Sequence, residues 1–578
     1  MNRNLKIHTV SFLLSLIGLV VMVFDFGFEH SDYLSKTYNI FYVAVIILGI
    51  TSTSIRYYKN DDFPKKGVVV FDLISVLFSI FVLIRHFVVL DFQILESSVI
   101  RDNWLNLAIL LTFIRESSDI KISIDRTILN PAQLFILSFL TIIVIGSFLL
   151  MLPNATHSGI SFIDALFTST SAVCVTGLIV VDTGSYFTGL GQTIILCLIQ
   201  IGGLGILTFT SFFSYFFKGG STYENQLTLN SITSSKSLST VFKTLKYIIV
   251  ITFGIELVSA LLIYSSLESS DFKGFSDQAY FSIFHAISSF CNAGFSTLTN
   301  SFNETGFRFN YGLQLVVIVS FIVGGLGFPI VENIVKYIRY SVKRVFGREA
   351  DFKPWVLNLS SRITLITTFI VTAIALVVIY ILEFNNSLAE HSGFGKIVTA
   401  LFTAATPRTA GFNTVDTSLL TLPTLLFILL LMWIGASPSS TGGGIKTSTL
   451  AISTLNILSL ARGKSRIEVF KREISNISIR RSYAIIALSL IVIGFSTLVL
   501  SLSEKNLSLF DLVFETFSAY STVGLSLGIT DRLSELGKLV IIFTMFVGRV
   551  SMLTVVVAVF KKIKQKNYDY PTEEILIN

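Results

Sequence analysis

Four short segments of the sequence could bind a cation through their backbone, and each ends in a glycine followed by Leu or Phe. Glycine permits backbone angles that other residues avoid, so neighbouring carbonyl groups can turn toward a common axis. A ring of carbonyls can replace the hydration shell of a monovalent cation. The candidate filter residues, none of which carries a charged side chain, are Val175, Thr176, Gly177, Asn292, Ala293, Gly294, Thr409, Ala410, Gly411, Thr522, Val523 and Gly524.

The four filter glycines recur at a regular distance from a second glycine, which indicates a fourfold repeat. The second glycines are Gly202, Gly324, Gly435 and Gly548, and they follow the first by 25, 30, 24 and 24 residues. From Asn130 onward, each repeat reads as a long helix, a short amphipathic segment and a second long helix. One such glycine is explained well enough as a helix C-cap, but four in register are not.

The short segment of each repeat cannot cross a bilayer, so it is predicted to enter and leave from one face as a pore loop. Irregular backbone at membrane depth is tolerated only where protein buries it or where it lines a watery cavity. The four loops are therefore expected to share one polar axis. The sequence thus predicts an all-α integral membrane fold with four helix–pore loop–helix repeats around a single ion pathway.

Composition independently places the chain in a membrane. Its 578 residues are 52% hydrophobic and 14% charged, with a mean hydropathy of +0.75, which is too apolar for a soluble protein of this length. About twelve stretches have the roughly 20 apolar residues that a crossing helix needs. The first, residues 9–28, has no small-residue cleavage site and is interpreted as a retained helix.

The net charge of +7 is spread between the apolar stretches and does not form a patch for nucleic acid. Lys and Arg concentrate in every second connection, which follows the positive-inside rule. This pattern predicts a multi-pass protein in contact with membrane lipid, with an even number of crossings and both termini in the cytoplasm.

The remaining reactive residues do not form a catalytic pattern. Cys174, Cys197 and Cys291 lie in apolar segments without metal-ligand spacing and are interpreted as reduced packing residues. The six His include no His-Glu-x-x-His pattern, and the glycine-rich stretch 440–449 departs from a phosphate-binding loop. An enzyme is therefore not expected, and neither is a bound nucleotide or cofactor.

The chain divides into an added N-terminal module and the four repeats. Residues 1–127 are predicted to be a four-helix transmembrane module with apolar stretches near 9–28, 39–55, 67–90 and 103–114. A packing or anchoring role is the simpler interpretation, but Arg85 and His86 inside the third stretch leave a sensing role open. The repeats are predicted as one at 128–240, two at 241–350, three with a broken helix at 351–480, and four with a cytoplasmic tail at 481–578.

Residues 131–565 resemble the TrkH/KtrB/HKT superfamily of cation transporters, with signature-like segments at 170–179, 200–205 and 406–413. The resemblance implies a homodimer with one pore per subunit in the bacterial cytoplasmic membrane. It also implies a cytosolic RCK-type nucleotide-binding partner, similar to TrkA or KtrA, for which 336–362 and 462–481 are plausible docking surfaces. In plant members a serine at the first filter glycine accompanies Na⁺ transport, so Gly177 favours K⁺ as the transported ion.

The second helix of repeat three is expected to break, because Pro438 removes a backbone donor and three consecutive glycines each weaken a helix by about 1 kcal/mol. In the family this segment is an intramembrane loop below the filter. We expect Arg549 to interact with carbonyls or hydroxyls of this loop and hold it closed, although Arg549 and Lys446 could instead snorkel to the interface. The predicted gate comprises Gly435, Ala436, Ser437, Pro438, Ser439, Ser440, Thr441, Gly442, Gly443, Gly444, Lys446 and Arg549.

Two other functions stay open at this point. One is a Na⁺-selective or Na⁺/K⁺-coupled transporter of the same fold, and the other is a non-conducting membrane sensor or scaffold. Intact filter glycines and an intact gate sequence argue against the scaffold. The sequence does not distinguish channel-like from Na⁺- or H⁺-coupled transport. Arg408, just before the third filter segment, is interpreted as bracing its pore helix, with a limit on cation occupancy as the alternative.

Overall fold

The computed structural model describes residues 3–59, 66–92, 103–117, 131–216, 238–346, 356–438 and 440–560. These residues are mostly helical, as the apolar stretches predict. The two strands are short: β1 (Glu468–Val469) pairs antiparallel with β2 (Arg472–Glu473), with Val469 opposite Arg472. The protein is thus an all-α membrane protein.

The N-terminal module forms four helices at the predicted places: α1 (Arg3–Gly27), α2 (Asp32–Lys59), α3 (Lys66–Phe92) and α4 (Asn103–Ser117). Tyr42, Ile46, Val82, Leu105 and Ile109 form its buried apolar core.

A cluster of buried ionic side chains lies in the same module. Arg56 is 3.4 Å from Asp72 and 4.0 Å from Glu116, and Arg115 is 3.8 Å from Glu116. The cluster joins α2, α3 and α4 through opposite charges, which is how ionic groups are accommodated at membrane depth.

The helices follow one another in the order of the four proposed repeats, but the first helices of repeats two and four begin at Leu238 and Asn476, before the predicted boundaries at 241 and 481. Repeat one contains α5 (Pro131–Leu150), α6 (Phe162–Cys174), α7 (Thr183–Tyr186) and α8 (Gly189–Phe216). Repeat two contains α9 (Leu238–Ser266), α10 (Phe275–Phe290), α11 (Tyr311–Leu326) and α12 (Phe328–Val345). Repeat three contains α13 (Leu359–Glu383), α14 (Phe394–Ala405), α15 (Leu422–Trp433) and α16 (Thr447–Ala461). Repeat four contains α17 (Asn476–Ser503), α18 (Leu509–Ser521), α19 (Glu535–Val550) and α20 (Met552–Val559).

The pore helices α6, α10, α14 and α18 are short, and each ends three to six residues before its filter glycine. Ser161 and Ser508 cap α6 and α18 by accepting hydrogen bonds from backbone N–H groups three residues on. With 13 residues each, these two helices span about 20 Å, which is less than the bilayer core. They therefore end inside the membrane region.

The first helix of each repeat presents apolar side chains outward. Phe253 on α9, Phe369 on α13 and Phe495 on α17 are 51%, 74% and 62% exposed. Lipid chains are the natural partner of such a surface. These helices fit the predicted outer wall of the bundle.

All four second helices are bent or broken, whereas the sequence predicted a break only in repeat three. In α8 the chain kinks at Gly205, α11 and α12 meet at 105°, and α19 and α20 meet at 87°. In repeat three α15 and α16 are separated by the loop 434–446. The breaks at Gly205, Gly327 and Ser551 have positive φ angles, which a continuous helix cannot contain.

These breaks leave fewer helices that are long enough to cross a membrane in one piece. Among the described residues, seven helices are long and apolar enough to span a membrane, or nine when each bent pair counts as one. The second helices of repeats one and three are instead the shorter apolar helices Gly189–Gly205, Leu422–Trp433 and Thr447–Ala461. Composition shows where the chain is apolar but does not show where backbone angles interrupt it.

Candidate ion pathway

The four predicted filter segments come together at the centre of the repeats. In each segment the residue two positions before the glycine has a positive φ, namely Val175, Asn292, Thr409 and Thr522. The glycines that follow are also in this region, with φ from 71° to 92°. The same unusual backbone therefore occurs four times, and at the glycine it needs the absence of a side chain.

Each filter glycine faces the carbonyl that precedes the glycine of the next repeat. A Cβ placed on Gly177 would lie 2.5 Å from the oxygen of Ala293, and one on Gly294 would lie 3.1 Å from that of Ala410. A Cβ on Gly411 or Gly524 would overlap the carbonyl oxygen of Val523 or Thr176, respectively. The four segments therefore close a ring in the order one, two, three, four, with backbone carbonyls crowded between the glycines.

Buried hydroxyl groups behind the ring hold the filter segments in place. The hydroxyls of Ser171 and Ser518 accept hydrogen bonds from the N–H groups of Gly177 and Gly524, each at 3.1 Å. In repeat two, the Ser288 hydroxyl donates to the carbonyl of Phe295 at 2.7 Å. These serines were not predicted from the sequence, although all three share one position, six residues before the filter glycine, and that register could have revealed them.

A vestibule of about 760 Å³ opens on one side of the ring. It is lined by the filter glycines and the residues that follow them, including Asp182, Asp416 and Asp531. Carboxylates around the mouth of a pathway raise the local concentration of cations.

The 434–446 loop lies against the opposite side of the ring. The Gly443 N–H donates to Thr522 Oγ1 at 2.8 Å, and Thr441 Oγ1 donates to Asn292 Oδ1 at 3.3 Å. The loop thus contacts the residues at the start of the filter segments, at the end of the ring away from the vestibule. Of the predicted gate residues in this loop, 435–438, 440–444 and 446 are described, while Ser439 lies outside the described residues.

Arg549 connects this loop to two other repeats. Its guanidinium donates one hydrogen bond to the carbonyl of Thr441 and another, at 2.5 Å, to the carbonyl of Gly202. Arg549 is only 6% exposed, so its side chain does not snorkel to the membrane–water interface, which was the alternative prediction. Lys446 donates instead to two carbonyls of its own loop. One is the carbonyl of Gly442, and the other is the carbonyl of Gly443, 3.5 Å from Lys446 Nζ.

A second cavity, of about 250 Å³, lies on the loop side. Thr441, Lys446 and Arg549 line it together with the break residues Gly205 and Ser551. The two cationic side chains make it an unfavourable place for a free cation while the loop occupies this position.

The comparisons with known proteins identify the family. A sequence model described as TrkH, a cation transport protein, matches residues 98–570. The chain belongs to the TrkH family of cation transport proteins. This membership places it among transporters rather than enzymes. Helices α1 to α3 lie before the matched residues.

The sequences of two relatives align with most of the chain. The Ktr system potassium uptake protein B of Bacillus subtilis is 36% identical over 448 residues, which cover 77% of this chain and 96% of the relative. The potassium/sodium uptake protein NtpJ of Enterococcus hirae is 35% identical over 460 residues, which cover 78% and 98%. The resemblance seen in the sequence is thereby confirmed.

A solved structure shares the fold. The potassium transporter TrkH from Vibrio parahaemolyticus superposes with a TM-score of 0.61 over 86% of this chain and 99% of the other, at 17% identity. The fold predicted from the four repeats is therefore confirmed.

Arg408 and the three cysteines lie outside the filter and the loop. Arg408 donates to the Thr368 carbonyl at 3.3 Å and to Thr372 Oγ1 at 2.9 Å, so it braces its pore helix against α13. Cys174 and Cys291 are buried free thiols, but Cys197 is exposed on α8 and does not serve as a buried packing residue.

Proposed function

We propose that this protein takes up K⁺ across the bacterial cytoplasmic membrane through the pathway formed by its four repeats, with the four glycine triplets as selectivity filter. The observation that carries the proposal is the ring in which each filter glycine faces a carbonyl of the next repeat. Relatives named as potassium uptake proteins support the choice of ion.

In this account K⁺ loses its water in the vestibule and binds to filter carbonyls. The vestibule aspartates concentrate cations, and the uncharged filter leaves selection to backbone dipoles. The hydroxyls behind the filter keep the carbonyls at a fixed spacing, so that they suit one ion size better than another.

The 434–446 loop is proposed to be the gate, closed in the state described. It presses against the filter residues Asn292 and Thr522, and Arg549 holds it through Thr441. Opening requires the loop to leave the filter and the Arg549 contact to break. Glycines and Pro438 suit this role because they prevent the segment from settling into regular helix.

Charge and family membership support a proposed orientation and proposed partners. We propose that both termini and the loop side lie in the cytoplasm, because Lys and Arg concentrate in every second connection. We propose a homodimer with one pore per subunit, and an RCK-type nucleotide-binding subunit that docks on the basic surfaces 336–362 and 462–481. Such a partner would act on the gate through the second half of α12, from residue 336 onward, and through the β1–β2 hairpin, which lie in these ranges. The N-terminal module at 1–127 is proposed to anchor the pore.

A Na⁺/K⁺ transporter is the second candidate, because a relative of similar identity is named as a potassium/sodium uptake protein. Competition between ions decides between the two. The full-length protein in liposomes should take up ⁸⁶Rb⁺, and excess K⁺ should suppress this uptake much more than excess Na⁺. Equal competition would favour the second candidate. No uptake, even with a cytosolic partner present, would favour a non-conducting scaffold.

A further inference from the structure

Two buried side chains in the pore helices have no part in the pathway described above. His285 on α10 and Glu515 on α18 are each 0% exposed. Both stand nine residues before their filter glycine, at equivalent positions of repeats two and four. Polar groups at such depth are expected to have specific partners.

In repeat two, His285 is the middle of a hydrogen-bond chain. Its Nδ1 is 2.9 Å from the Phe281 carbonyl, which can only accept, so Nδ1 carries the proton. Nε2 therefore accepts from the Ser296 hydroxyl at 2.9 Å. The Ser296 oxygen in turn accepts from the Leu298 N–H at 3.0 Å. The pore helix thus fixes Ser296 and Leu298, which lie just after the filter.

In repeat four, Glu515 makes the same kind of chain. Ser526 Oγ donates to Glu515 Oε2 at 2.8 Å and accepts from the Gly528 N–H at 3.1 Å. Thr530 Oγ1 donates to Glu515 Oε1 at 2.6 Å. Both carboxylate oxygens therefore hold the chain segment that leaves the filter.

The two chains match position by position. In each chain, the side chain nine residues before the filter glycine accepts a hydrogen bond from the serine two residues after that glycine. The same serine oxygen accepts a hydrogen bond from the backbone N–H two residues beyond the serine. Repeats one and three have Thr168 with Ile179 and Phe402 with Asn413 at these positions, which do not supply this pairing. Since the ring runs one, two, three, four, the braced repeats are opposite each other.

The braced serines lie where they can influence the ion. Ser296, Leu298, Ser526 and Gly528 all line the vestibule directly beyond the filter glycines. The backbone of these residues fixes the last carbonyls of the filter on the vestibule side, while Ser288 and Ser518 fix the filter segments on the pore-helix side. A filter discriminates between similar cations only if its carbonyl spacing is maintained.

We propose that His285 and Glu515 are positioning residues for selectivity, which set the vestibule end of the filter by holding Ser296 and Ser526. This inference rests on the proposed K⁺ filter. Loss of either brace should let the carbonyls of one repeat adjust toward Na⁺ while the fold and the gate stay intact.

The test compares Rb⁺ and Na⁺ uptake by the full-length protein in liposomes for Ser526→Ala and Ser296→Ala. Each change should lower the Rb⁺/Na⁺ uptake ratio about fivefold, as expected for the loss of one buried hydrogen bond. Ser526→Thr retains the hydroxyl and should restore the ratio. Thr168→Val is the matched control, because within the described residues the Thr168 hydroxyl has no hydrogen-bond partner, and its ratio should not change.

Thermal unfolding of each purified variant separates selectivity from folding. If Ser526→Ala does not fold, Glu515→Gln, which preserves the side-chain volume, takes its place and should lower the ratio as well. Folded variants with the wild-type ratio would overturn the inference but leave the K⁺ filter standing. A wild type without preference for Rb⁺ would overturn the proposed function itself.

Discussion

The guanidinium of Arg549 donates a hydrogen bond to the carbonyl oxygen of Thr441, which lies 108 positions earlier in another repeat. The same guanidinium also reaches the carbonyl of Gly202 in repeat one. Three of the four repeats are therefore joined at one buried cation, directly beneath the filter. If the loop is the gate, this residue is its principal latch.

The first prediction concerns that latch. Arg549→Ala should raise the rate of ⁸⁶Rb⁺ uptake in liposomes about tenfold, because a hydrogen bond from a charged group contributes about 1.5–3 kcal/mol to the closed state. The exposed Lys505, just after α17, provides the control, since Lys505→Ala also removes one positive charge. An Arg549→Ala variant with the wild-type rate would contradict the proposed latch.

The second prediction concerns the close packing of the loop. A Cβ on Gly435 would overlap the carbonyl oxygen of Gly443, so Gly435→Ala should displace the loop from the filter and increase Rb⁺ leak. Gly494 on α17 has no atom within 4 Å of such a Cβ. Gly494→Ala should therefore leave the flux unchanged and stabilise its helix by up to about 1 kcal/mol. Equal flux in the two variants would show that the loop does not obstruct the pathway.

The third prediction concerns a contact between the first and last repeats. Lys538 Nζ on α19 lies 2.6 Å from Asp164 Oδ1 on pore helix α6, and both side chains are partly buried. Lys538→Met should lower the free energy of unfolding by about 1 kcal/mol, the upper end of the range for ion pairs that solvent still reaches. The exchange Asp164→Lys with Lys538→Asp should recover part of this loss in thermal unfolding. No recovery would mean that charge pairing is not the source of the effect.

The fourth prediction concerns the ionic cluster of the N-terminal module. Glu116 accepts a hydrogen bond from Ser52 at 2.8 Å and lies near both Arg56 and Arg115. Glu116→Gln leaves buried positive charge uncompensated and should destabilise the protein by about 3–5 kcal/mol. The exposed Glu29 offers the control Glu29→Gln, which should shift the unfolding temperature very little. Similar shifts for both variants would mean that the cluster is solvated.

The sequence predicted the repeats, the convergence of the four glycine triplets and the broken helix of repeat three, because each depends on glycine or proline at a fixed spacing. The Arg549 contact with the loop was expected from the family resemblance and from the need of a cation at membrane depth for an acceptor. The breaks at Gly205, Gly327 and Ser551 were not predicted, because one glycine or serine in an apolar run is compatible with a continuous helix. The braces at His285 and Glu515 were missed as well, since their partners become evident only once the filter has folded back on its pore helix.

The most direct test of the central claim is ⁸⁶Rb⁺ uptake with K⁺ and Na⁺ as competitors, in liposomes that contain wild type or Gly177→Ser. A side chain at Gly177 would crowd the Ala293 carbonyl and strain a φ of 91°. The account predicts that wild type prefers K⁺ and Rb⁺ over Na⁺ and that Gly177→Ser transports with this preference lost. A folded Gly177→Ser protein that retains the wild-type preference would contradict the assignment of the filter.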